Sequence, residues 1–274
     1  MSGGTDDNRE TTRVSTRRAI LATAGVAVST TLTGCQGDGS DGNDSAAEDT
    51  EDDGGEPAPL DPPTGTSEDG IDDTAALVDA TREALTENGY ALEQELVNTA
   101  DGEQTLGVTQ RRRSNLEAER RLLVFDAASE TNRLYIENGT QHVQATANGE
   151  TTTRSNEFQD DFAETHPPEM LDGGESLGGI LRTGTYVPSE TVRRNGRRLL
   201  RFDLDTPDES SVSGTVTDAS GTVFVDGESV VHDASRHLEI EDEDGRTVTV
   251  DQSFLITQLG DVTVERPEWV ESDS

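Results

Sequence analysis

Three Asn-Gly pairs, each set between short runs of alternating apolar and polar residues, constrain the fold of this chain more than any other feature. They lie at Asn138-Gly139, Asn148-Gly149 and Asn195-Gly196. A two-residue turn between antiparallel strands requires positive φ at both central residues, and Asn and Gly tolerate that conformation best. The pairs therefore predict three hairpins within a meandering antiparallel sheet.

A helix is predicted to precede this sheet. Asp72 or Asp73 can cap its N-terminus, and Asn88-Gly89 is expected to end it with a left-handed residue. From Tyr90 onward the apolar period changes from about 3.6 to about 2, which indicates strands. The body is therefore expected to be α+β, mostly antiparallel β, with about ten or eleven strands.

Two regions complete the predicted body, which spans residues 71–274. The segment 156–182, around Pro167-Pro168, is expected to form short helices that interrupt the meander. The second meander is predicted to begin with a hairpin around Asn195-Gly196. Its further strands are predicted at 213–218, 222–226, 229–241, 246–257 and 262–266.

Residues 1–34 have the organisation of an export signal. The Arg17-Arg18 pair precedes an apolar run over 19–32, and the order is that of a twin-arginine signal. This run is shorter than the roughly 20 residues that a membrane-spanning helix needs. It ends in Leu-Thr-Gly before Cys35, which resembles the lipobox of bacterial and archaeal lipoproteins. We expect Cys35 to carry a lipid.

A chance arginine pair and a free thiol are the alternative interpretation of these residues. Cys35 is the only cysteine in the chain, so it can form no disulfide within the chain and no cysteine-based zinc site. The order and spacing of the arginines, the apolar run and Cys35 favour the lipoprotein signal. Residues 35–70 then read as the lipidated cysteine followed by an acidic tether, because 36–70 holds no aromatic residue and little to bury.

The charge balance points to a salt-rich environment. The formal net charge is -36, and all 21 basic residues are Arg. In molar salt the Debye length falls to about 3 Å, so the repulsion between these carboxylates is screened. We interpret the acidity as a halophilic adaptation, with an acidic surface for a partner as the alternative. Sequence-independent binding of nucleic acid is excluded, because it depends on cations that neutralise phosphates.

Several segments of the body carry a family resemblance. They are Gly89-Tyr90, residues 135–139, residues 214–223 and the closing segment 262–269. In pattern and spacing the chain resembles the LolA and LppX/LprG-like half-barrel lipoproteins, and more closely haloarchaeal surface lipoproteins of that group. The resemblance implies a strongly bent sheet that wraps the N-terminal helix and leaves an apolar hollow for acyl chains. Transfer to an outer membrane is not implied, because a single-membrane archaeon has none.

The sequence shows no catalytic signature, cofactor motif or metal-ligand spacing. His232 and His237 lie five residues apart, which is not the spacing of a metal pair. The run of three arginines at 111–113 is interpreted as a loop neutralised by acids, with anionic headgroups as the alternative. Asn43 and Asn138 stand in sequons and are candidate glycosylation sites, although the turn alone explains Asn138. An exported hydrolase is the weakest hypothesis.

Two functions remain from the sequence. The first is a binding module for lipid or another apolar ligand, held on the outer face of the cytoplasmic membrane through the lipid on Cys35. The second is a surface structural or interaction lipoprotein with a filled core and no ligand. The family resemblance favours the first, whereas the small number of large apolar residues favours the second. Protein partners are not identifiable.

The substitution Cys35→Ser tests the anchor. Expressed in a haloarchaeal host, the wild-type chain is expected in the membrane fraction and the variant in the soluble or secreted fraction, because the thiol that accepts the lipid is gone. Mass spectrometry of the N-terminus checks lipidation and cleavage. A matched variant, Arg17→Lys with Arg18→Lys, is expected to remain in the cytoplasm. A Cys35→Ser chain that stays fully membrane-bound contradicts the prediction.

Overall fold

The chain forms one open, curved, antiparallel sheet of eleven strands in a computed structural model, which describes residues 60–158, 162 and 174–270. The order of the strands in the sheet is β6-β5-β4-β3-β2-β1-β11-β10-β9-β8-β7. The fully described helices that accompany the sheet are two α-helices and one turn of 3-10 helix. The predicted fold class and the predicted number of strands are confirmed.

The elements have the following bounds in chain order. They are α1 (Thr74–Glu87), β1 (Tyr90–Ala100), β2 (Glu103–Asn115), β3 (Arg120–Ala127), β4 (Glu130–Glu137), β5 (Thr140–Ala147), β6 (Glu150–Glu157), α2 (Gly174–Leu181), β7 (Gly184–Arg194), β8 (Arg197–Pro207), the 3-10 turn (Glu209–Ser211), β9 (Thr215–Val225), β10 (Val231–Glu241) and β11 (Thr247–Leu259).

The sheet consists of two meanders joined at its centre. Strands β1 to β6 run outward to one edge, and β7 to β11 run back from the other edge until β11 pairs with β1. Strands β6 and β7 are therefore the edges, and Pro188 lies on edge strand β7, where a missing N–H is tolerated. The segment that contains α2 connects the two edges.

The three Asn-Gly turns have the predicted geometry. Both central residues have positive φ at each of them, for example 49° at Asn138 and 70° at Gly139. The turn between β1 and β2 has the same geometry at Asp101 (52°) and Gly102 (81°). Sequence analysis missed this fourth turn, although Asp-Gly is also a preferred pair in such hairpins.

Helix α1 begins as predicted and ends differently. The Ala76 N–H donates to Asp73 Oδ1 (3.0 Å), so Asp73 is the N-cap. Asn88 is extended (φ -118°), and its side-chain amide donates to the Ala84 carbonyl (2.9 Å). The predicted left-handed ending is therefore wrong. Gly89 is needed for another reason, because a Cβ there would lie 2.6 Å from the Gly260 carbonyl oxygen.

A turn ahead of α1 belongs to the folded body. The N–H groups of Asp72 and Asp73 both donate to the Gly65 carbonyl (3.0 Å each), and the Ile71 N–H donates to the Tyr186 carbonyl on β7 (3.1 Å). Pro63 is buried. Residues 63–73 therefore pack against the helix and edge strand of the body.

The main core lies between the two helices and one face of the sheet, which we call the inner face. Leu77 and Leu85 of α1 and Leu177, Ile180 and Leu181 of α2 are buried. They pack against inner-face residues of the central and C-terminal strands, which are Tyr90, Leu92, Tyr186, Phe202, Val223, Val225, Ala234, Phe254 and Ile256. The helices therefore cover only part of the sheet.

A second, smaller cluster lies on the opposite, outer face. Val262, Val264 and Val270 of the C-terminal tail pack there against Tyr135, with Leu122 and Trp269 at the margin. The tail closes over β3 and β4, but residues 262–266 form no strand, so the predicted strand there is wrong. Strand β9 also differs from the prediction, because it runs unbroken through Gly221 instead of forming two segments.

A buried hydrogen-bonded pair of side chains fixes the turn between β9 and β10. Asp226 Oδ2 lies 2.7 Å from His232 Nε2, and both side chains are about nine-tenths buried. Asp226 Oδ1 accepts the backbone N–H groups of Glu228 (2.9 Å) and Val230 (3.0 Å). Burial opposes ionisation of Asp226, but these hydrogen bonds outweigh it and lower its pKa below the usual value of 3.8.

The substitution Asp226→Asn is expected to reduce the free energy of unfolding by about 2 kcal/mol at neutral pH, because it weakens charge-assisted hydrogen bonds in a buried turn. A lowered folded-state pKa stabilises the fold above the unfolded-state pKa, and this contribution disappears as pH falls through the folded-state pKa. The difference between wild type and variant should therefore vanish in acid.

Urea unfolding at neutral pH and near pH 2 measures this difference. The control is Asp244→Asn, at an exposed hairpin tip, for which a change below about 0.5 kcal/mol is expected. An Asp226→Asn variant as stable as wild type at neutral pH contradicts the prediction.

Candidate ligand-binding site

Two strand side chains hold α2 over the C-terminal half of the inner face. Arg236 of β10 donates through Nη1 to the Gly179 carbonyl (2.9 Å) and the Thr183 hydroxyl (2.9 Å). Gln252 of β11 donates through Nε2 to the Ser176 hydroxyl (2.8 Å). The main sheet contacts of α1 and α2 are accordingly with β10 and β11. The inner face of β2 to β5 lies to one side of both helices.

Apolar side chains continue across this part of the inner face, which α1 and α2 do not cover. We call them the inner strip, and its members are Leu96, Leu106, Val108, Leu123, Phe125, Leu134 and Val143. The sheet register places them on one face, because Leu96 is opposite Val108 and Leu134 is opposite both Leu123 and Val143. The strip is half-buried, and Leu106 at its end is 39% exposed. Core residue Phe254, beneath the helices, is fully buried.

A cavity of about 290 Å³ lies where the inner strip meets α2. Leu96, Val108 and Phe125 form its apolar wall. The polar side chains around it are Gln94, Gln110, Ser176 and Gln252. Gln252 Oε1 is buried and accepts no hydrogen bond. The cavity therefore combines apolar wall residues with amide groups and one unused acceptor.

Two arginines stand beyond the cavity on the same face. Arg112 is opposite Leu123 and donates through Nη2 to Gln110 Oε1 (2.8 Å). Arg121 is opposite Ser114 and Ile136, and it is only 3% exposed. Burial lowers the pKa of Arg121; Tyr90 raises it, and the charge of Arg112 lowers it further.

The outer face carries two larger cavities, both lined by several charged side chains. One, of about 630 Å³, includes Arg201, Asp203, His237 and Asp251. Its charges are paired with each other, since Arg201 binds Asp203 (2.8 Å) and His237 Nδ1 lies 2.7 Å from Asp251 Oδ1. Val97 and Leu204 are the apolar members of its lining, and most of the other lining residues are polar or charged.

The other outer cavity, of about 540 Å³, lies beside the C-terminal tail. Trp269 and Arg266 line it together with Glu137, which accepts from the Tyr135 hydroxyl (3.0 Å) and pairs with Arg266 (3.1 Å). Burial, ahead of the hydrogen bond to Glu137, raises the pKa of Tyr135 to about 12. Asn138 is exposed at the edge of this cavity. These contacts attach the tail to the sheet.

The predicted site residues fall mostly outside the described residues. Arg17, Arg18, Cys35 and Asn43 lie there, and so does His166. The arginine run at 111–113 is described and lies in β2, not in a loop. Its side chains alternate between the two faces, so Arg111 pairs on the outer face with Glu93 (2.9 Å) and Asp126 (3.1 Å), whereas Arg112 lies on the inner face.

The residues that shape the cavity are not among the predicted site residues. Gln94, Gln110, Gln252 and Arg121 carry no motif, and only the period-two alternation of their strands could have placed them on the inner face. Within 60–158, 162 and 174–270, no group of three His, Cys, Asp or Glu side chains is placed to hold a metal ion. None of the described helices has the length and apolar character required to cross a membrane.

Residues 20–273 match the model of a family described as a family of unknown function (DUF7537). The chain belongs to this family. No curated protein matches this DUF7537 chain. Among solved structures it is similar to a LolA superfamily protein from Nitrosomonas europaea, with 8% identity, 68% of this chain and 94% of that chain covered, and a TM-score of 0.23.

A DUF1329 family protein from Desulfovibrio piger is similar to the same extent. The identity is 9%, the alignment covers 67% of the DUF7537 chain and 93% of the other chain, and the TM-score is 0.22. Superpositions at these scores carry no information about ligands.

Proposed function

We propose that this protein is an exported, lipid-anchored module that binds a lipid or another apolar ligand on the inner strip, at the outer face of the cytoplasmic membrane. The observation that carries the proposal is the cavity of about 290 Å³ whose apolar wall, formed by Leu96, Val108 and Phe125, opens onto the half-buried strip. The helices stop short of this surface.

The energetics of the strip favour an apolar occupant. Each Å² of apolar surface removed from water stabilises a complex by about 25 cal/mol. A contiguous exposed apolar surface on a soluble domain commonly marks a site of interaction. The cavity is at the lower end of the range of about 300–1,000 Å³ for small-molecule sites. A narrow alkyl chain lying along the strip suits this size better than a bulky ring system.

The cellular location in this proposal rests on the N-terminal sequence. The Arg17-Arg18 pair and Cys35 support export and lipid anchoring, and the tether allows the body to stand away from the membrane. In that location the sequons at Asn43 and Asn138 are candidate acceptors for glycans, and Asn138 is exposed at the tip of the β4–β5 hairpin. No catalytic role is proposed.

A structural role without ligand is the second candidate. The observation that favours it is the filled core over the C-terminal half of the inner face, where Leu77, Leu177, Ile180, Phe202 and Phe254 are fully buried. The binding proposal therefore concerns only the N-terminal half of the face. The two functions differ in whether that half takes up an apolar molecule.

The substitution Phe125→Asp is expected to weaken binding of an apolar ligand by at least tenfold, because it places a carboxylate against the apolar wall of the cavity, at a cost of several kcal/mol. The probe is N-phenyl-1-naphthylamine, a neutral dye whose fluorescence rises in apolar surroundings. Titration in molar NaCl uses the full chain with Cys35→Ser, which leaves it unlipidated.

The matched control is Leu255→Asp. Leu255 is 38% exposed on the outer face, so the same chemical change leaves the inner strip intact. This variant is expected to bind the dye like the parent. Native mass spectrometry of the purified parent, before and after organic extraction, reports any ligand carried from the cell. If the parent neither binds dye nor carries lipid, the structural role is supported instead.

A further inference from the structure

Arg121 is a buried cation whose hydrogen-bonding capacity is largely unused. Its side chain lies on the inner face and is 3% exposed. Only Nη2 has a hydrogen-bond acceptor, the Ser114 hydroxyl at 3.3 Å. Nε and Nη1 are buried and make no hydrogen bond. Leaving buried charged donors unsatisfied is costly, so such a group calls for a specific explanation.

Among the described residues, the aromatic contact of Arg121 is made over the flat face of the guanidinium and does not use the donors in its plane. The Phe162 ring lies over the flat face of the group, with 4.7 Å between the guanidinium carbon and the ring centroid. This cation–π contact stabilises the charge but accepts no hydrogen bond in the plane. Among the described residues, no carboxylate pairs with Arg121, although the chain has 57 acidic residues.

The arginine side of the inner face is continuous with the cavity. Along β3, Arg121, Leu123 and Phe125 point to the same face, and four residues of strand span about 13 Å. Between them Arg112 is opposite Leu123 and contacts Gln110, which lines the cavity. One face of the sheet thus presents, in order, an apolar cavity, an apolar strip and two cations.

We propose that the inner strip binds an amphiphile with a single acidic headgroup, whose alkyl chain lies in the cavity and whose phosphate or carboxylate accepts hydrogen bonds from Arg121, with Arg112 adding positive charge. This inference rests on the proposed function and specifies its ligand class. Arginine donors suit the oxygens of phosphate and carboxylate groups, and a buried pair of opposite charges is only weakly screened by salt.

The experiment compares three probes by isothermal titration calorimetry in molar NaCl, with the full chain carrying Cys35→Ser. Decyl phosphate has the chain and the acid, decyl maltoside has the chain alone, and inorganic phosphate has the acid alone. Both detergents are kept below their critical micelle concentrations. Decyl phosphate is expected to bind at least tenfold more tightly than decyl maltoside, and inorganic phosphate is expected not to bind.

The variant Arg121→Met removes the charge and keeps most of the volume, so the fold is expected to be retained. This variant should bind decyl phosphate at least tenfold more weakly than the parent does, and its affinity for decyl maltoside should be unchanged. The matched control, Arg133→Met, removes an exposed arginine that contacts Gln144 (2.9 Å) and should change neither affinity. Thermal unfolding of each variant verifies that it is folded.

The outcomes separate this inference from the proposed function. If the two detergents bind with equal affinity, the inference of an acidic headgroup is overturned, but the proposed binding of an apolar ligand stands. If neither detergent binds, both the inference and the proposed function are overturned. Binding of inorganic phosphate as tight as decyl phosphate assigns the arginines to a free anion and overturns the amphiphile.

A carboxylate of the chain itself is the remaining occupant to test. Asp160 and Asp161 precede Phe162 in the sequence. If one of them neutralises Arg121, the double variant Asp160→Asn with Asp161→Asn should destabilise the parent but leave Arg121→Met unaffected, which overturns the proposal. If a ligand is the partner, the double variant should leave the affinity for decyl phosphate within twofold of the parent.

Discussion

The hydrogen-bonded pairing of β1 with β11 is the interaction on which the rest of the structure depends. Each strand already belongs to a meander, and their antiparallel pairing converts two smaller sheets into one of eleven strands. Its register places Leu92 opposite Ile256 in the main core and Leu96 opposite Gln252 beside the cavity. A slip by one residue would reverse the two faces of every strand in one half relative to the other.

The Asn-Gly turns and the period-two alternation of the sequence were sufficient to predict an antiparallel sheet of about the observed number of strands. The Asn-Gly turns fix hairpins because few residues adopt positive φ twice in succession, and alternation then sets strand faces. Elements that depend on distant contacts were predicted less well. Residues 262–266 alternate like a strand, yet Val262 and Val264 are buried by packing on the outer face without pairing. Alternation indicates one-sided burial, and a tail lying on a sheet satisfies it as well as a strand does.

The candidate site was less predictable than the fold, for a similar reason. Gln94, Gln110 and Gln252 come from three strands, and only the register of the sheet brings them to one cavity. The arginine run illustrates the point, because three identical neighbours acquire different environments once β2 forms. Arg111 meets carboxylates in solvent, whereas Arg112 faces the apolar side. The type of a residue does not determine which strand will pair beside it, so its environment cannot be predicted from that residue alone.

The separation in sequence between the two central strands determines when the sheet can be completed. The Thr257 hydroxyl donates to the Ala91 carbonyl across 166 residues of chain. Each meander consists of local hairpins that can form soon after they are synthesised, but the pairing between the meanders must wait for β11, the last of the described strands. Contacts so distant along the chain slow folding, because the loop has to close before any pairing compensates for its lost entropy. Until the ribosome has released this strand, β1 presents an unpaired edge.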